Sequence, residues 1–111
     1  MESNLYNKFA EIDIWVGRII EAQEFPEATN PSYKLNIDFG DELGIMKSSA
    51  QITNFKIDNL AGLSCIAVVN LGKKQIGPYI SECLILGSIN KDGGVLLLHP
   101  NSDAKLGDRI Y

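Results

Sequence analysis

Ser48, Ser49, Ser81 and His99 are the residues of this chain whose types could supply a nucleophile and its base. Their surroundings speak against it. No glycine elbow flanks any of the three serines, and His99 precedes Pro100 in a turn-like position. Gly40 to Gly44 brackets a short loop but lacks the Lys-Ser/Thr ending that a phosphate-cradling loop needs. Cys65 and Cys83 sit in apolar runs and read as buried, reduced thiols. Two cysteines and one histidine cannot build a cysteine-rich zinc site. The sequence therefore predicts no catalytic residue, no metal site and no cofactor.

Binding chemistry remains, and the lysines carry it. The net charge of −4 argues against nonspecific nucleic-acid binding through a globally basic surface. The distribution is uneven: residues 1–30 carry −4 and residues 81–111 carry −1, whereas residues 31–80, with Lys34, Lys47, Lys56, Lys73 and Lys74, carry +1. A face in the middle of the chain could thus meet phosphate while the rest repels it.

The stretch from Lys34 to Thr53 must position that face. Tyr33, Leu35, Ile37 and Phe39 alternate with Lys34, Asn36 and Asp38, the period of two of a half-buried strand. Gly40-Asp41 turns the chain, and Leu43, Ile45 and Lys47 resume the alternation as the second strand of a hairpin. Ser48-Ser-Ala-Gln51 has the form S-x-x-Q, which predicts a capping box and a short helix starting near Ser48. The N-terminus of such a helix would offer free N–H groups to phosphate beside Lys47, which makes Ser49 and Gln51 candidate contacts.

Around this stretch the chain reads as follows. Residues 1–10 form a short helical or irregular lead-in with Leu5, Tyr6 and Phe9 as apolar contacts. A long strand runs from Ile12 to about Glu24, with Gly17 suggesting a bulge or sharp coil. Phe25-Pro26 ends it. Cys65 to Val69 is a strand buried on both faces, Asn70 to Tyr79 a polar glycine-containing loop, Cys83 to Ile89 another strand, and Val95 to Leu98 the strand returning from an Asp-Gly turn. Leu35, Ile37, Val68, Leu84 and Leu96 are expected inside. The fold class is mainly all-β: one domain over 1–111, a five-stranded oligonucleotide-binding (OB) barrel with a short capping helix between strands 3 and 4, plus N- and C-terminal extensions. No apolar run approaches the length of a membrane helix, and Met1 to Lys8 lacks the pattern of a signal peptide. A soluble cytoplasmic protein, without membrane insertion, is expected.

Phe25-Pro-Glu-Ala, Lys34-Leu-x-Ile-Asp-Phe-Gly and Ser48-Ser-Ala-Gln-Ile, occurring in that order, resemble the CsaA-type secretion chaperones. These belong to the tRNA-binding-domain family of OB folds, as do the modules appended to some aminoacyl-tRNA synthetases. The resemblance covers Phe9 to about Asp108. It implies tRNA recognised by shape, with Lys34, Lys47, Asn70, Lys73, Lys74 and Ser81 toward phosphates and riboses and Tyr79 stacking on a base. It equally implies binding of peptides or unfolded preproteins. It also implies a two-fold homodimer, whose interface would take residues 1–10 and 100–111 and with them Leu5, Tyr6, Phe9, Ile110 and Tyr111.

The chain departs from the family pattern at several basic positions. Family arginines are Trp15, Thr29 and Gln75 here, a fourth becomes Lys74, and the lysine before Ser81-Glu82 is Ile80. Lysine cannot replace the bidentate grip of arginine on phosphate. Trp15 and Ile80 instead enlarge an apolar surface suited to peptide, provided that Trp15 is exposed. The alternative packs Trp15 under the N-terminal segment. A plain interaction module with neither activity is the third reading.

Overall fold

The computed structural model describes residues 3–111; Met1 and Glu2 of the 1–10 extension lie outside the described residues. Helix α1 (Ser3–Ala10) leads into β1 (Ile14–Glu24), β2 (Tyr33–Asp38) and β3 (Ile45–Ala50). A 3-10 turn (Ile57–Asn59) follows, then β4 (Ser64–Val68), β5 (Lys74–Ile76), β6 (Tyr79–Ser81), β7 (Leu84–Ile85), β8 (Gly87–Ile89), β9 (Val95–Leu97) and β10 (Arg109–Ile110). The main sheet runs β3-β2-β1-β4-β7, with β10 added on β1, and β5–β6 and β8–β9 form two small hairpins. Every pairing is antiparallel. The five-strand path with a connector between its third and fourth members is the OB barrel.

Strand β1 is the axle of the barrel. Its first half, Ile14 to Arg18, pairs with β4, and from Arg18 to Glu24 it pairs with β2. A register shift between Ile19 and Glu21 lets one strand serve both partners. The irregularity is therefore at Ile20 and not at Gly17. Gly17 is required for a different reason: a Cβ there would lie 2.7 Å from Phe39 Cε1 and 2.8 Å from Ile37 Cγ2. The alternation of β2 is borne out, with Leu35, Ile37 and Phe39 buried and Lys34, Asn36 and Asp38 turned outward. Ile19, Ile52, Leu60, Cys65, Ala67 and Ile85 complete the core.

Three expectations are corrected. First, no helix starts at Ser48, because Ser48, Ser49 and Ala50 continue strand β3 opposite Leu35, Lys34 and Tyr33. The capping element between β3 and β4 is the later 3-10 turn, and the chain from Leu60 to Leu63 is tied to the β1 shift by Gly62 N–H to Ile19 O (2.7 Å) and Ile19 N–H to Leu63 O (2.9 Å). Ser48 faces inward, fully buried, and its hydroxyl donates to Cys83 O at 3.0 Å. The local S-x-x-Q signal lost to a tertiary partner 35 residues away. Second, Val68 is inside but Leu84 and Leu96 are half-exposed, since Cys83 and Ile85 take the inward positions of β7 and Val95 and Leu97 those of β9. With a period of two, a one-residue offset reverses which face is buried. Third, the strand expected over Cys83 to Ile89 breaks at Leu86 into β7 and β8.

These assignments predict that Ser48→Ala, by removing the donor to Cys83, lowers stability by about 1 kcal/mol, whereas Gln51→Ala changes it by less than about 0.5 kcal/mol. Urea denaturation measures both. Similar losses at the two positions would restore a capping box.

Candidate nucleic-acid interface

The outward face of β1, β2 and β3 brings Lys34, Lys47 and Tyr79 together. Alternation turns Lys34 out of β2, and the β2–β3 register sets Lys47 opposite Asn36. Tyr79 reaches over from β6, its hydroxyl 3.4 Å from Leu35 O. The Lys34 and Lys47 ammonium groups lie 5.6 Å and 5.2 Å from the Tyr79 ring centroid. Phe25 meets the same ring edge-on at 5.4 Å, and Lys34 is 5.6 Å from the Phe25 centroid. Two cations and an aromatic pair in one place suit a phosphate-linked base. Burial, followed by the negative potential of Cys83, Glu82 and Glu21, pushes the Tyr79 phenol up to about 12.

The other candidates divide between two places. Ser49 and Ser81 belong to the barrel seam: the Ser49 N–H donates to Ser81 Oγ (3.2 Å), and the Ser81 hydroxyl, itself buried, donates to Cys83 O (3.3 Å). Because β3 continues through Ser49, the helix N-terminus expected to offer amides to phosphate there does not exist. Asn70 is committed to structure, donating from Nδ2 to Glu11 O (2.7 Å) and accepting at Oδ1 from the Asp13 N–H (2.8 Å), which pins the α1–β1 joint. Lys73, Lys74 and Gln51 line a separate open groove of about 840 Å³. Its lining includes the aliphatic Ile52, Leu71, Leu84, Ile85, Ile89, Val95 and Leu97, and the polar Thr29, Gln75 and Ser49.

Trp15 takes the buried of the two placements open to it, under the C-terminal arm and not under the N-terminal segment, so the peptide-anchor role that required exposure falls. The exposure of Trp15 is 5%, and the Arg109 guanidinium stacks 3.5 Å above the ring. Arg109 is held there by Glu42 Oε2 (3.1 Å) and Gly107 O (2.9 Å). The arm from Lys105 onward thus seals Trp15, whose Nε1 has no hydrogen-bond partner among the described residues. Ile80 is 38% exposed but does not line the groove. On α1, Leu5, Tyr6 and Phe9 are exposed by 72%, 58% and 47%; Tyr111 is fully exposed, and Ile110 is half-buried opposite Ile14. Burial pushes both thiols up to about 12, which leaves them protonated and inert at neutral pH.

The site also contains residues that sequence reasoning did not select: Glu21, Gln23 and Asn36 beside the lysines, and Phe25 behind Tyr79. Asn36 shares the outward side of β2 with Lys34, and that periodicity was the available signal. Glu21 and Gln23 follow a register shift, and the sequence does not display it. Among the described residues no helix is long and apolar enough to cross a membrane, and no group of three or more His, Cys, Asp or Glu side chains gathers as a metal site.

The OB barrel carries a lysine-aromatic outer face of the kind that suits binding domains. Residues 14–109 match the family described as "Putative tRNA binding domain", and the chain belongs to it. The structure of the CsaA chaperone from Picrophilus torridus superposes with a TM-score of 0.91 at 53% identity, covering 96% of this chain and 97% of that one. For chaperone CsaA of Bacillus anthracis the values are 0.88 and 40%, with 96% of each chain covered. Among curated relatives, the methionine–tRNA ligase of Thermococcus kodakarensis is 31% identical over 110 residues, which is 99% of this chain but 14% of the ligase. The chain thus corresponds to a small part of such ligases.

The phenol shift predicts that one of the four tyrosines titrates near pH 12, later than the ordinary phenol range around 10. Absorbance at 295 nm follows it, and Tyr79→Phe removes that late component. Loss of an ordinary component instead would relocate the shifted group.

Proposed function

We propose that this chain binds tRNA by shape and phosphate contact, through the outward face of β1–β3, as a cytoplasmic homodimer. The convergence of Lys34 and Lys47 on Tyr79, in a chain of net charge −4, carries the reading. The overall field repels nucleic acid, so attraction must come from a local cluster working within a Debye length of about 8 Å. The family match and the likeness to a ligase's appended region support the same partner. Recognition by shape suits a duplex-rich ligand whose grooves hide its base edges.

The homodimer rests on α1. An eight-residue helix is too short to persist by itself, and Leu5, Tyr6 and Phe9 lie on it without burial in the monomer. A second copy that covers this stripe together with Ile110 and Tyr111 makes an isologous interface. Leu5→Asp with Phe9→Asp is expected to convert the dimer to monomer in light scattering. A monomeric wild type at micromolar concentration would refute the assembly.

A second reading, binding of unfolded preproteins during export, is favoured by the 840 Å³ groove with its aliphatic lining residues and by the chaperone relatives. Leu71→Ser with Leu84→Ser is expected to reduce suppression of client aggregation while Lys47→Gln leaves it intact.

Filter binding of unfractionated tRNA across a salt series tests the main reading. We expect a shallow log–log slope of about −2 to −4 per dimer. Lys34→Gln and Lys47→Gln lower both affinity and slope, and Lys105→Gln on the C-terminal arm changes little. Failure to bind at low salt, or equal loss from Lys105→Gln, would refute it.

A further inference from the structure

Glu21, Gln23, Lys34, Asn36, Lys47 and Tyr79 enclose a recess of about 210 Å³ on the outward face. Two cross-strand rows build it: Glu21, Asn36 and Lys47 in one, Gln23 and Lys34 in the other. Asn36 Nδ2 donates to Glu21 Oε1 at 2.7 Å, and Gln23 Nε2 donates to Glu21 Oε2 at 3.0 Å. A carboxylate only accepts, so both amides must turn their NH₂ groups toward it. That leaves Asn36 Oδ1, Gln23 Oε1 and the remaining lone pairs of Glu21 outside these two bonds. One wall of the recess is thus a row of acceptors, aligned before any ligand arrives. The recess also takes in the Tyr79 ring with its two flanking ammonium groups.

We infer that this recess takes one unstacked base of a single-stranded RNA segment and selects guanine. The inference rests on the RNA-binding reading above and names what that site prefers. Stacking on Tyr79 is open to every base, since each has a π-face. The acceptor wall is not neutral. Guanine alone presents two adjacent donors, N1–H and the 2-amino group, which match the two oxygens of one carboxylate. Adenine, cytosine and uracil each offer a single donor next to an acceptor, which would face a carboxylate oxygen with no hydrogen between them. Discrimination of this kind is strong because the wrong base leaves desolvated polar atoms unpaired. Lys34 and Lys47 then swing from the ring to the flanking phosphates, a motion their flexible stems allow. Glu21 carries a negative charge on a surface that otherwise attracts phosphate; contact with a donor-rich base edge gives that charge a use.

Fluorescence anisotropy with labelled RNA pentamers at low salt tests this. The probes are UUGUU, its inosine counterpart lacking the 2-amino group, UUAUU, UUCUU and UUUUU. Wild type is expected to bind UUGUU at least fivefold tighter than the A, C and U forms, with inosine between. In Glu21→Gln the guanine preference falls below twofold. Tyr79→Ala weakens all five probes together, about tenfold, and Lys105→Gln weakens none. No base preference in wild type, a preference that survives Glu21→Gln, or no pentamer binding overturns the guanine recess. If tRNA still binds through its lysines in that case, the general reading stands and the recess alone falls. If pentamers discriminate while tRNA fails to bind, the recess stands and the tRNA reading falls.

Discussion

The barrel closes through one backbone bond and a set of side chains. Strand β3 has a full ladder with β2 on one edge only, and its other edge meets the chain from Ser81 to Cys83. The Glu82 N–H donates to Lys47 O at 2.7 Å, and Glu82 Oε1 accepts the Lys47 N–H at 2.9 Å. The Ser48 and Ser81 hydroxyls both donate to Cys83 O, and the Ser49 N–H finds Ser81 Oγ. A seam of this kind satisfies backbone groups that a regular ladder would otherwise have to pair. It needs small inward residues, which is why serine and alanine stand where leucine would be expected. It also fixes the outer face: Lys47 is a seam residue by its backbone and a surface cation by its side chain, and Tyr79 leads into the strand segment that supplies Ser81.

Side-chain chemistry on this barrel is divided by face. The outward side of β1–β3 gathers cations and aromatic rings, and the groove between β3, the β5–β6 hairpin and the β7–β9 region is lined by aliphatic and polar side chains. The two are separated by the seam, so changes in one need not disturb the other. A small domain can in this way present two chemically distinct surfaces without enlarging its core. The acidic excess lies mostly in residues 1–30, which leaves the middle of the chain locally positive.

Much of this was legible in the sequence. The alternation from Tyr33 to Phe39 identifies β2 and its buried side because both partners of β2 are close in sequence and one face is dry. The OB order of strands followed from such segments and their turns. What could not be read depended on distant partners. Ser48 carries the same local signal as a helix cap, and only the Cys83 carbonyl decides otherwise. Asn70 has the chemistry of a ligand contact, yet Glu11 and Asp13 occupy its amide. Trp15 has the type of an interface anchor, but Arg109 covers it from the far end of the chain. Leu84 and Leu96 were placed inside because an apolar run does not announce its phase, and a break at Leu86 reset it.

The cover over Trp15 has an optical consequence. It is the sole tryptophan in the chain, so intrinsic indole emission arises from one residue, and that residue is pressed beneath a guanidinium carried by the last strand. The molecule thus contains a spectroscopic reporter of whether its own tail is docked. Peeling β10 away would wet the indole and shift its emission while leaving the barrel's circular dichroism largely untouched, so release of the C-terminal arm and melting of the barrel can be timed separately in one unlabelled sample.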